Sequence, residues 1–75
     1  MSKEKDIQVR LGSAIAKRAK AKYKSNVEFA NVCDVSESTI RRILQGEQNL
    51  SIQVLKRICE ALNIKLSDLF KDINQ

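Results

Sequence analysis

The sequence predicts an all-α fold, a single compact bundle of five helices. Three observations point there. Apolar residues recur at steps of three and four along most of the chain, the period of a helix. Proline is absent, and the breaks between periodic segments fall at serines and at two glycines. Aromatic residues make up 4% of the chain (Tyr23, Phe29 and Phe70), so the 43% that is apolar must build its core from Ile, Leu, Val and Ala, a composition that suits packed helices.

Seventy-five residues fill one domain at most and leave no room for a separate catalytic module. A chain of this size buries only about 60% of its unfolded surface, which keeps it marginal. The domain is expected over 6–71, with a flexible N-terminus over 1–5 and a C-terminal tail over 72–75.

The elements follow in order. Ile7, Leu11, Ala14, Ile15 and Ala19 mark an amphipathic helix over about 6–23 with a basic outer face. Gly12 inside it is either a mild cost or a point of close packing. Ser25-Asn-Val-Glu28 is a capping-box pattern that opens a helix over about 26–33, with Phe29, Ala30 and Cys33 on one face. After the tight turn at Asp34-Val35, Ser36 caps a third helix whose Ile40, Ile43 and Leu44 share a face, and Gly46 ends it. Beyond the polar loop 47–50, Ser51 caps a fourth helix carrying the stripe Ile52, Leu55, Ile58, Cys59 and Leu62. Asn63 is the stop. Ser67-Asp68 starts a last short helix with Leu69 and Phe70.

Composition excludes several functions. Without histidine, and with its two cysteines 26 positions apart, the chain offers no zinc-ligand set, no usual general base and no Ser-His or Cys-His pair. No enzyme, metal or other cofactor is expected. No effector domain fits in this length, so no small-molecule effector is expected either. The thiols Cys33 and Cys59 read as buried core residues in preference to a disulfide. No apolar stretch approaches a membrane span and no signal peptide opens the chain, so a cytoplasmic location is expected.

Charge is uneven. Of the net +5, residues 1–24 carry eight basic and two acidic side chains, while 25–75 carry six and seven. Such a basic excess suits a polyanionic partner.

From Asn26 to Leu44 the pattern fits two short helices crossing steeply: a small residue at the contact (Ala30), an apolar anchor in the turn (Val35), and apolar residues on the inner face of the second helix (Ile40, Ile43). The same layout serves a helical hairpin in any small bundle. At this point the sequence resembles the Cro/cI-type, Xre-like or lambda-repressor-like, helix-turn-helix DNA-binding domains. The matching residues are Leu11-Gly12 and Ile15, Glu28-Phe29-Ala30, Val35-Ser36 with Ser38-Thr39-Ile40, Ile43 with Gly46, and Ser51-Ile52 with Leu55, Ile58-Cys59 and Ala61-Leu62. Ile64, Leu66-Ser67-Asp68-Leu69-Phe70 extend the match, which covers about 11–70. The resemblance implies a lambda-repressor-like five-helix bundle with helices 2 and 3 as the helix-turn-helix.

The chain departs from that pattern at Asn26 (usually Gln), Asp34 (usually Gly) and Leu50 (often Pro). Many relatives also pair an Arg at the position of Ala19 with a Glu at that of Leu44; here both are apolar. Replacing both partners of a desolvated pair is often neutral, whereas losing one costs several kcal/mol. An apolar Ala19–Leu44 contact between helices 1 and 3 is therefore expected.

In a helix-turn-helix the second helix enters the major groove, which turns Glu37, Ser38, Thr39, Arg41 and Arg42 toward base edges. Arg bonds guanine bidentately, Ser and Thr are permissive, and a Glu accepts from cytosine. The resemblance favours Arg42 and Ser38 as readers. Phosphate contacts are expected from Arg18, Lys22, Lys24, Asn26, Gln45, Asn49 and Ser51, with Lys17 and Lys20 as further positive charge; the alternative for the lysines is a solvated helix face.

The family typically binds two-fold operators as dimers, so the implied partners are double-stranded DNA and a second copy of the chain, meeting through Leu50, Ile64, Leu66, Phe70 and Ile73. The leading expectation is a sequence-specific transcriptional regulator of the repressor kind. The resemblance covers antitoxins and restriction–modification controllers as well. The alternative of another class is a helical protein-interaction module that presents its basic face to an acidic protein partner without reading DNA. Binding of helix 1 to a membrane surface is disfavoured, because its Ala-rich apolar face is needed for the core.

Overall fold

Three serines open the three middle helices in the same way. The computed structural model describes residues 3–48 and 50–74, with side chains from residue 6 onward. It contains α1 (Lys3–Lys22), α2 (Asn26–Cys33), α3 (Glu37–Leu44), α4 (Ile52–Leu62) and α5 (Leu66–Ile73), and no strand among the described residues. Ser25, Ser36 and Ser51 have extended backbone, and each hydroxyl accepts the N–H three residues on: Glu28 at 3.1 Å, Thr39 at 3.2 Å and Val54 at 3.1 Å. Each bond satisfies an N–H that the helix itself leaves unpaired and is worth about 1 kcal/mol. At α2 only this half of the expected capping box is formed among the described residues.

The same helices also stop alike. Asp34, Gly46 and Asn63 take left-handed backbone, with φ of 58°, 73° and 56°. After α3, Gly46 N–H donates to the Ile43 carbonyl (3.1 Å) and Glu47 N–H to that of Arg42 (2.9 Å). Equivalent pairs close α2 and α4, which makes three Schellman stops. Asp34 therefore adopts a left-handed geometry that glycine takes without strain, at a cost of about 1 kcal/mol.

Each helix delivers one side chain with no exposed surface: Ile15, Phe29, Ile40, Ile58 and Leu69 in chain order. Truncating any of them to Ala costs about 2–5 kcal/mol. Around them pack Ala19, Ala30, Cys33, Ile43, Leu55 and Leu62, with Leu11, Val35, Leu44, Leu50 and Ile64 at the margin. Both cysteines are free and buried, as expected, and burial pushes the Cys33 thiol up to about 11. It is a thiol at neutral pH and a poor nucleophile.

The turn from α1 to α2 is anchored by Tyr23. Its ring stands 5.4 Å from that of Phe29 and its hydroxyl donates to the Ala61 carbonyl near the end of α4.

The two glycines form a seam between α1 and α3. A Cβ on Gly12 would run into the Ile43 carbonyl oxygen and stand 2.9 Å from that of Leu44; one on Gly46 would stand 2.7 Å from the Val9 Cα. Gly12 is thus a close-packing point. Ala19 is buried and Leu44 packs on the same cluster, but the tight approach of the helices lies two turns earlier, at Gly12.

Boundaries differ at the outer helices. α1 reaches back to Lys3, and α5 begins at Leu66, one residue before Ser67, because Asp68 accepts the Lys65 N–H (3.0 Å) and closes the first turn. α5 continues to Ile73. The stripe expected on α4 needs one correction: Ile52, at the first helical position, is 76% exposed, because the core ends one turn farther along at Leu55.

Candidate nucleic-acid interface

With Ile40 and Ile43 buried, helical geometry settles which side chains of α3 face out. At about 100° per residue, Ser38, Arg42 and Gln45 form one stripe opposite Ile40. All three are exposed. The Arg42 guanidinium makes no hydrogen bond or ion pair among the described residues. The Ser38 hydroxyl stands 3.4 Å from that of Ser36.

The other three expected readers flank the stripe and are engaged. Arg41 Nη2 lies 3.0 Å from Glu37 Oε1, four residues apart on the same helix. Thr39 Oγ1 accepts a 2.8 Å hydrogen bond from Ser36, so its hydroxyl belongs to the N-cap. The helix as a unit cannot roll easily. Its last turn lies against α1 across the glycine seam, and its first turn is fixed by Ser36.

The residues expected at phosphates fall into several settings. Lys24 and Asn26 are exposed where α1 gives way to α2. Gln45 lies on the α3 stripe and Ser51 caps α4 through its hydroxyl. Lys22 Nζ stands 5.8 Å from the centre of the Tyr23 ring, a cation–π distance. Arg18 faces α5, where its Nε donates to Asp72 Oδ2 at 2.7 Å. That bond holds the Asp72 carboxyl below its ordinary range and raises the Arg18 guanidinium. Asn49 lies outside the described residues.

The basic excess of α1 therefore encircles the helix. Taking Gly12 as the line that faces α3, Lys17 is rotated about 140° to one side and Arg18 about 120° to the other. Only part of that charge can share a surface with the α3 stripe.

At the other end, the five residues expected in a dimer interface are divided. Leu66 (39%) and Phe70 (43%) are exposed, Leu50 and Ile64 pack against the core, and Ile73 is half-buried. Ile52, read from the sequence as core, joins the exposed set and borders a shallow apolar groove with Leu55, Ile64 and Leu66. Its position at N1, ahead of the first buried residue of α4, was the available signal. Among the described residues no cluster of metal-binding side chains occurs, and no helix is long and apolar enough to cross a membrane.

The chain is similar to several known proteins. Residues 15–69 match the family model described as helix-turn-helix. The control protein C.MunI from Mycoplasma sp is 35% identical over 71 residues, covering 93% of this chain and 96% of that protein. Two crystal structures of the clp gene regulator ClgR from Corynebacterium glutamicum superpose with a TM-score of 0.85 at 22% identity. They cover 91% of this chain and 87% and 72% of theirs.

Proposed function

The chain belongs to the helix-turn-helix family, a family of DNA-binding regulators, and we propose that it is a sequence-specific transcriptional repressor that binds a palindromic operator as a homodimer. The observation that carries this reading is the outward stripe of α3: Ser38, Arg42 and Gln45 on a helix locked in roll, with Arg42 unpaired. A guanidinium held in that way is suited to guanine O6 and N7, where a bidentate pair discriminates by about 1–3 kcal/mol. Ser38 reads beside it, and Thr39 and Arg41 flank the contact. Lys24, Asn26, Gln45 and Ser51, with Lys22, neutralise or hold the adjoining phosphates, which fixes register without reading sequence. Similarity to a control protein supports the regulator over a partner-binding module of the same fold.

One reading helix covers too few base pairs for specificity. Two copies related by a two-fold axis place their reading helices about 34 Å apart, one turn of duplex. Leu66, Phe70 and Ile52 supply the exposed apolar surface for that contact, with Ile73 at its margin and Leu50 and Ile64 behind it. A regulator of this kind acts in the cytoplasm.

Selection of bound sequences from a random duplex pool tests the whole reading. A palindrome with half-sites one turn apart is the expected return. A non-palindromic site would remove the dimer, and failure to shift any duplex at low salt would favour the protein-interaction module.

A further inference from the structure

Among the described residues α3 carries three charged side chains, and two of them neutralise one another. Glu37 holds Arg41 at 3.0 Å, with the two side chains 41% and 55% exposed. It also occupies the first helical position, where its charge offsets the positive end of the helix dipole. Its place on the helix is about 60° from Ile40, nearer the buried side than the outward stripe. That rotation is awkward for a side chain that has to reach a base edge.

We infer that Glu37 is an electrostatic gate on the reading helix: by pairing with Arg41 it lowers affinity for DNA of any sequence, so that Arg42 decides where the protein binds. This rests on the DNA-binding reading above. Non-specific affinity follows the number of phosphates neutralised, each adding about 0.9 to the slope of log K against log salt. A reading helix with Arg41 and Arg42 both unpaired would carry +2 onto any duplex; with Glu37 present it carries +1. At 0.1 M salt one extra neutralised phosphate amounts to about an eightfold gain on all sequences, falling to about fourfold at 0.2 M. Because the term is common to operator and random duplex it leaves their ratio unchanged; what it lowers is the share of protein held on the vastly more numerous random sites.

Glu37→Gln separates a gate from a base reader. The parent protein and the variant are titrated against the site selected from a random pool and against random duplex, at several salt concentrations. The gate predicts that the variant binds random duplex about eightfold more tightly at 0.1 M salt, with the slope steeper by about 0.9 and the selected sequence unchanged. Most of that gain should vanish when Arg41 is already Gln. Loss of selected-site binding by tenfold or more with no gain on random duplex, or a changed base at one position, would assign Glu37 to base reading and overturn the gate. Unchanged affinities and slopes would overturn it as well. If the parent itself shifts no duplex, the DNA-binding reading falls first and the gate falls with it. Helical circular dichroism of both variants guards against unfolding, and Gln at 37 keeps the size and helix propensity of Glu.

Discussion

Helices α1 and α3 face one another across two glycines and handle charge in opposite ways. The first 24 residues carry eight basic side chains; α3 carries two, and Glu37 offsets one of them. In α1 the charge is spread around the cylinder and partly consumed internally, Arg10 by Asp6 at 3.5 Å and Arg18 by Asp72 at 2.7 Å. In α3 one unpaired guanidinium remains on the outward line. The contrast teaches that net charge measures how strongly a chain can be drawn to a polyanion, while the placement of a few side chains on a locked helix decides what it can distinguish. The total alone would have directed attention to α1.

The most severe way to break the contrast is to open the seam that locks α3. Gly46→Ala adds a Cβ in left-handed backbone and against the Val9 main chain, and should destabilise the fold by about 2–4 kcal/mol in urea denaturation. An unchanged midpoint would mean that the seam is loose. Next, Arg42→Ala should weaken the selected site by about 1–3 kcal/mol while leaving random duplex nearly untouched; equal losses on both would return Arg42 to the phosphate class. A smaller effect divides α1 from the loop after it. Lys24→Ala should flatten the salt slope by about 0.9, and Lys17→Ala should leave it unchanged. If Lys17 behaves as Lys24 does, the charge on α1 shares the interface more evenly than helical geometry allows.

The smallest effect concerns the Arg18–Asp72 bridge. Asp72 has a lowered folded pKa, so its stabilisation is complete above the ordinary carboxylate range and is lost as pH falls through the lowered folded value. Thermal melts should therefore show an acid-side loss in the parent that is slightly smaller in Asp72→Asn. Identical acid profiles would show the bridge to be neutral, as many exposed pairs are.

What could be read from the sequence was what is decided locally. Ser25, Ser36 and Ser51 announced their helices because an N-cap needs only the residue three places on, and Gly46 and Asn63 announced the stops for the same reason. Helix α3 and its inward Ile40 and Ile43 were legible by periodicity. Where the outcome depends on distant partners, the pattern misled or was silent. Ile52 keeps helical spacing with the core yet lies beyond its edge. Gly12 was ambiguous until the carbonyls of Ile43 and Leu44 came to lie over it. The Arg18–Asp72 bridge joins residues 54 positions apart, and no local rule connects them. Glu37 looked like one more outward polar residue, because the choice between solvent, a base and Arg41 is made by rotamer.

The joint made by Tyr23 has a practical side. The chain has no tryptophan and this one tyrosine, and the phenol bridges the α1–α2 turn to the end of α4 while touching Phe29. Tyrosine emission from the protein thus originates at a single half-buried hinge point about which three helices meet. Bound duplex would leave that optical signal largely to the protein, so the cohesion of the scaffold can be followed in real time, without a label, while the outer face is occupied.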